Sequence, residues 1–202
     1  MKTVISFFIS LFVLVATNFA QTVQPSADAI IKEASSIASK ENKKVFIIFH
    51  ASWCGWCHKM DTSMADPTIK KFFTDNYVIR HLDVLERDDK KDLENAGAMD
   101  YLSKWKGDKQ GVPYWVILDK NGDLLADSKL RKPGDNVDGG SNVGCPSAEN
   151  EVAFFVSVLK KTSGLKDAQL KLIYDRFRKN DPNEEHKNIA DPAPRIKPLL
   201  NK

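Results

Sequence analysis

Cys54-Gly55-Trp56-Cys57 sets two thiols two residues apart, a spacing that can close a small disulfide ring and open it again. Trp53 precedes the pair and His58 follows it. The species that attacks a disulfide is the thiolate, so the question is what would ionise one of these thiols. The pair comes directly after the strand-forming run Val45–Phe49, and the stretch from Cys57 to Met64 contains neither Pro nor Gly. That pattern predicts a strand running into a helix, with Cys54 at the helix N-terminus. Unpaired N–H groups and the helix dipole favour negative charge there, which lowers a thiol pKa. A ring of four residues restricts the unfolded chain little and so stabilises little, which makes redox chemistry the better account than a structural staple.

The chain contains three cysteines, and the third, Cys145, lies in Gly144-Cys145-Pro146 at the end of a polar, glycine-rich stretch. A disulfide-stapled scaffold would carry more cysteines at wider spacing. Cys145 is read as a quiet, partly buried small apolar residue without a required catalytic part, with regulation or intermolecular pairing as the sharper alternative.

The elements that must position the pair begin after residue 20. Lys2 followed by the apolar run Val4–Val15 reads as a secretory signal peptide, with a cleavage point at Ala20-Gln21. That run is short for a membrane span and no stop-transfer pattern follows, so stable membrane insertion is not expected. No Cys opens the mature segment, so no lipid anchor is expected. The implied location is periplasmic or secreted, where disulfides persist. The formal charge is +3, from 30 Lys and Arg against 27 Asp and Glu, with both signs interspersed. An ordinary solvated surface explains this, and no nucleic-acid partner is expected.

Residues 21–25 form a polar leader. Ser26 is placed to cap a helix reaching about Lys40, with Ile30, Ile31, Ala34, Ile37 and Ala38 on one face. Val45–Phe49 reads as a central strand and Tyr77–Val84 as another. A short helical piece is expected over Thr68–Phe73. A longer helix is expected from Asp88 to about Trp105, with Leu93, Met99, Leu102 and Trp105 turned inward and Gly97 as a weak point. Gly111–Leu118 leads into a hairpin turn at Asp119-Lys120-Asn121-Gly122, returning over Asp123–Ala126. Residues 127–147 read as a long loop. Ala148–Lys161 is an amphipathic helix, and Leu165–Lys179 a second one within an appended segment, 162–179. From Asn180 to residue 202 the chain is a polar tail, expected to be loosely attached. Strands alternating with helices imply an α/β domain over 26–161, a central mixed sheet with helices on both faces.

That order, with Trp-Cys-x-x-Cys after the first long strand and Val112-Pro113 before the hairpin, resembles the thioredoxin superfamily over roughly residues 26–161. Trp-Cys-Gly-Trp-Cys-His-Lys-Met is similar to exported thioredoxin-like proteins of Gram-negative bacteria, including the C-terminal domain of membrane thiol:disulfide interchange proteins. The resemblance implies a thiol:disulfide oxidoreductase whose redox-active group is the Cys54–Cys57 disulfide, with no other cofactor. It implies Cys54 as the attacking thiol and Cys57 as the resolving one. Pro113 is the implied cis-proline, turning the backbone of Val112 toward the sulfurs, where a substrate segment can pair with it. Trp53 would shield the disulfide, Gly55 and Trp56 lie between the sulfurs, and an exposed Trp56 would offer an apolar contact to a protein substrate. The implied partners are protein thiols and disulfides, with a membrane thiol:disulfide transporter as electron donor.

The sequence departs from thioredoxin in two places. Gly55-Trp56 replaces Gly-Pro between the cysteines, and Ile48 stands where thioredoxins carry a buried Asp that serves the second cysteine in proton transfer. His50, His58, His81 and water are the remaining candidates for that proton. Direction follows the reduction potential and the partner, with reduction or isomerisation preferred. Two other classes compete. Cys54-Gly-Trp-Cys57-His58 formally matches the Cys-x-x-Cys-His pattern of c-type haem attachment, although a preceding strand and a following hairpin do not suit a helical cytochrome. A non-enzymatic binding or chaperone module could retain the motif by descent. A metal site is not expected, because Cys54, Cys57 and His58 lack a second ligand pair at a fitting distance.

Overall fold

The computed structural model describes residues 24–136 and 138–183. The signal segment, most of the leader and the tail beyond residue 183 lie outside the described residues. Helix α1 (Ala27–Glu41) starts on Ser26, whose hydroxyl accepts the N–H of Ala29, and stops at Asn42 in the left-handed region. Strand β1 (Lys44–His50) follows, then α2 (Gly55–Met64) and α3 (Lys70–Asn76). Strand β2 (Tyr77–Asp83), a 3-10 turn (Asp88–Leu93) and α4 (Ala98–Lys104) come next. The hairpin strands β3 (Tyr114–Leu118) and β4 (Leu124–Asp127) lead to a small ribbon, β5 (Lys129–Leu130) with β6 (Ser141–Asn142). Helices α5 (Glu149–Thr162) and α6 (Asp167–Arg178) close the described chain.

The main sheet has the order β2-β1-β3-β4. β1 runs parallel to β2, pairing Ile48 with His81, and antiparallel to β3, pairing Ile48 with Trp115. Every residue from Val45 to Phe49 is buried, as a central strand covered on both faces requires. Alternation along β1 then divides the core in two. Val45, Ile47 and Phe49 pack with α1 and α4, while Phe46 and Ile48 pack under α2, α3, α5 and α6. This is a thioredoxin-like fold, a mixed sheet with helices on both faces.

Four expectations need correction. The helix over Asp88–Trp105 is two pieces, a 3-10 turn and α4, with the break at Asn95–Gly97. Gly97 adopts φ 80°, and Asn95 leaves the helical path to accept the N–H of Asp83 at 2.7 Å and to donate to Pro25 O at 2.9 Å. Met99, expected inward, is 36% exposed. The stretch 127–147 is not all loop: β5 pairs with β6, and Arg131 forks onto the Asp127 carboxylate. Finally, α6 is part of the core rather than an appendage, with Leu170, Ile173 and Phe177 buried beside α5 and α3. The chain stays packed past its end, for Asn180 is only 3% exposed.

Candidate active site

The site grows from the end of β1. After His50 the chain turns through Ala51–Trp53, closed by the Cys54 N–H donating to Ala51 O at 3.0 Å. Cys54 is then the N-cap of α2: its backbone is extended and its Sγ accepts the N–H of Cys57 at 3.1 Å. A disulfide joins Cys54 and Cys57, whose Cα atoms lie 5.3 Å apart. Both residues are buried, with Cys54 slightly the more exposed. Gly55 starts the helix facing open space.

The second wall is the segment before β3. The Val112–Pro113 peptide is cis, and Val112 O lies 3.5 Å from Cys54 Sγ. Asn142 laces this segment to the third wall: its amide donates to Pro113 O at 2.9 Å, and its carbonyl oxygen accepts the Gly144 N–H at 3.0 Å. Gly144 is required where it stands. Its φ is 53°, and a Cβ there would sit 3.3 Å from Pro113 O. Trp115 fixes the same turn from beneath, donating from Nε1 to Gly144 O at 2.9 Å. Trp56, Val112, Pro113, Asn142, Cys145 and Glu151 surround a cleft of about 280 Å³ beside the disulfide.

The flanking tryptophans are both exposed, Trp53 at 46% and Trp56 at 44%. Trp53 is also anchored, for its Nε1 donates to Leu85 O at 2.8 Å. The Lys59 ammonium stands 4.9 Å from the Trp56 ring centroid. His58 donates from Nε2 to Ser52 O at 3.0 Å, tying the helix back to the preceding turn.

His50 and His81 lie elsewhere, under α2, with ring centroids 4.7 Å apart. His50 Nε2 meets Asp83 Oδ1 at 3.0 Å and His81 Nε2 meets Asp61 Oδ1 at 2.8 Å. His50 Nδ1 is buried with no hydrogen-bond partner among the described residues. Of the three candidate histidines, His58 is engaged with backbone and His81 with a carboxylate, while His50 retains one open ring nitrogen.

Cys145 is buried, and burial pushes its thiol up to about 12. The Asn180 amide reaches it at 3.6 Å and also donates to Ser63 Oγ on α2 at 3.0 Å.

Three contributors escaped the sequence reading. Glu86 accepts from Ser52, Asn142 joins two walls of the cleft, and Asn180 supports α2 from the C-terminal side. Each looks like an ordinary surface residue in sequence, and each acts through partners far along the chain. Among the described residues no group of three or more His, Cys, Asp or Glu side chains could hold a metal, and no helix is long and apolar enough to cross a membrane.

A disulfide at a helix N-terminus, on a mixed sheet flanked by helices of thioredoxin-like fold, is an arrangement that can exchange thiols and disulfides. Residues 27–120 match the family model described as thioredoxin-like. Among solved structures, a disulphide isomerase from Xylella fastidiosa Temecula1 is similar at 18% identity, covering 82% of this chain and 98% of that one with a TM-score of 0.45. A DsbH oxidoreductase is similar at 20% identity, covering 71% and 86% with a TM-score of 0.41. A thioredoxin from Thermus thermophilus is similar at 16% identity, covering 64% and 81% with a TM-score of 0.40.

Proposed function

We propose that this chain is an exported thiol:disulfide oxidoreductase that reduces or isomerises disulfides in protein substrates. The observation that carries the proposal is the Cys54–Cys57 disulfide at the start of α2, with Val112 O 3.5 Å from Cys54 Sγ. In the reduced state the Cys54 thiolate attacks a substrate disulfide. One S–S bond forms to Cys54, and one substrate thiolate leaves. The Cys57 thiolate then attacks Cys54 Sγ, closes the ring and releases the second substrate thiol. Two electrons pass to the substrate, and its two sulfurs end as thiols once protonated. Isomerisation uses the first step and lets another substrate thiol displace Cys54. The exposed Trp56 and the cleft beside it offer the contact surface for an extended protein segment.

Renewal of the dithiol needs an electron donor, and we assign that part to a membrane thiol:disulfide transporter. Lys2 with the apolar run Val4–Val15 supports export. Insulin reduction and refolding of a scrambled-disulfide protein test the activity, with Cys54→Ser as the inactive control. N-terminal sequencing of the exported protein, expected to begin at Gln21, tests the route.

The haem reading finds less support. Attachment would use both sulfurs for thioether bonds and His58 for iron, whereas the sulfurs form a disulfide and His58 is bonded to Ser52 O. The visible spectrum of the purified protein decides it, because a covalently bound haem gives an intense band.

A further inference from the structure

Glu86 is a carboxylic acid only 4% exposed, in the loop after β2. It belongs to neither sulfur wall, and the chemistry above does not use it. Its two oxygens both serve Ser52. Oε1 accepts the Ser52 backbone N–H, and Oε2 accepts the Ser52 hydroxyl at 2.8 Å. Two acceptor oxygens are what the carboxylate form supplies. Glu86 is itself held, because its own N–H donates to Glu94 Oε1 at 2.8 Å, and Lys91 pairs with that same oxygen at 2.8 Å. The neighbouring residue adds a second hold. Leu85 adopts φ 56°, unusual for a branched side chain, and its carbonyl accepts Trp53 Nε1–H at 2.8 Å. Leu85 and Glu86 thus grip Ser52 and Trp53, the two residues immediately before Cys54.

We infer that Glu86 is a positioning residue for Cys54: its carboxylate anchors the turn that aims the attacking sulfur, and its buried charge holds the Cys54 thiolate in check. The inference rests on the oxidoreductase reading above. Two physical effects of Glu86 act on Cys54. A turn of three residues has little stiffness of its own, and reaction rates fall steeply when a nucleophile is misplaced. The carboxylate is bonded to Ser52, two positions before Cys54, and a negative charge held beside that turn disfavours a second one on the sulfur. The charge therefore opposes the helix N-terminus, which favours the thiolate. The other ionisable groups around this turn are His58, on Ser52 O, and the Lys91–Glu94 pair behind Glu86. Glu94 adds to the negative field and Lys91 offsets it.

Two substitutions separate the effects. Glu86→Gln keeps a group of the same shape that can accept from Ser52 N–H and donate to its hydroxyl, but removes the charge. Glu86→Ala removes both. The test uses the reduced full-length protein, with alkylation of Cys54 by iodoacetamide followed by mass spectrometry across pH. Insulin reduction and thermal unfolding are measured alongside. Glu86→Gln should move the alkylation midpoint to lower pH and speed alkylation in mildly acid solution by roughly threefold. Glu86→Ala should show the same shift in midpoint and slow insulin reduction by about tenfold relative to Glu86→Gln. Should Glu86→Ala fail to fold, the midpoint in Glu86→Gln still decides. An unchanged alkylation profile in Glu86→Gln, with or without lost thermal stability, overturns the inference and leaves Glu86 a purely structural anchor. A wild type that alkylates as described but does not reduce insulin would overturn the oxidoreductase reading instead.

Discussion

The amide of Asn180 stands 3.6 Å from Cys145 Sγ and 3.0 Å from Ser63 Oγ, so a single buried side chain joins the third thiol to the active-site helix. Cys145 is thereby a packed residue. Its burial, with the thiol pushed up to about 12, leaves almost no thiolate at neutral pH. Cys145→Ser should retain insulin reduction within about twofold of wild type, the two-sulfur couple being complete without it. In the native protein Cys145 should escape alkylation until denaturant is added. Rapid native labelling of Cys145, or a large loss of turnover without loss of thermal stability, would show that it takes part in the cycle.

The two sulfurs of the couple should be separable by trapping. Cys57→Ser leaves Cys54 able to attack but unable to be released, so mixed disulfides with partner proteins should accumulate. Cys54→Ser should capture few. Gel analysis under non-reducing conditions reads the difference, and equal capture by both variants would reverse the proposed roles.

Trp56 is exposed beside the disulfide, with the Lys59 ammonium over its ring. Trp56→Ala should raise KM for a protein disulfide by about three- to tenfold, the range expected for one aromatic contact. The rate with a small disulfide such as oxidised glutathione should stay within twofold. Equal effects on both substrates would mean that the ring acts on the sulfurs rather than on the partner.

Asp66 links the turn after α2 to α6. It accepts from Thr68 through both backbone and hydroxyl, and its Oδ2 takes Arg176 Nε at 2.7 Å. The Thr68 bonds, with help from Arg176, hold its carboxyl at about 2 against an ordinary 3.8. A depressed folded-state value stabilises the fold fully above about pH 4 and loses that contribution as pH falls toward 2. Asp66→Asn should therefore lower the melting temperature near neutral pH and lower it much less near pH 2. Equal destabilisation at both pH values would assign the effect to shape rather than charge.

Phe177 is fully buried, its ring 4.9 Å from that of Phe155. Phe177→Ala should cost about 3–5 kcal/mol in chemical denaturation, as for a large core aromatic. A cost below about 1 kcal/mol would show that α6 is peripheral after all.

What could be read in advance was local. Cys54 and Cys57 carry their chemistry in their spacing, Val45–Phe49 carries its burial in its composition, and Asp119–Gly122 carries its turn in Asp, Asn and Gly. What could not be read depended on distant partners. Gly97 hinted at a helix break, but the cause is Asn95 bonding to Asp83 and Pro25. Glu86 sits in Leu85-Glu86-Arg87-Asp88-Asp89, where charge density suggests a solvated loop, and only the nearness of Ser52 buries it. Asn180 sits in a polar run for the same reason, and Asn142 in a glycine-rich one. A polar residue buried by its partners has no periodic signature, and the partners here lie 29 to 117 residues away.

The attachment of α2 to the chain's far end sets an order of events during folding. Lys59 Nζ bonds to Asn180 O, Ser63 to the Asn180 amide and Asp66 to Arg176, across 121, 117 and 110 residues. Contacts of such long range form late, because the entropy of closing the intervening loop must be overcome first. A nascent chain can pair β1 with β2 and β3, and so bring Cys54 and Cys57 to the C-terminal end of that central strand, well before residues 176–180 have been synthesised. During that interval the thiols are present on a helix not yet braced on one side. The last bonds to form are then the ones that complete the support of the redox helix, so a chain stopped before Asp167 would carry the motif without its finished scaffold.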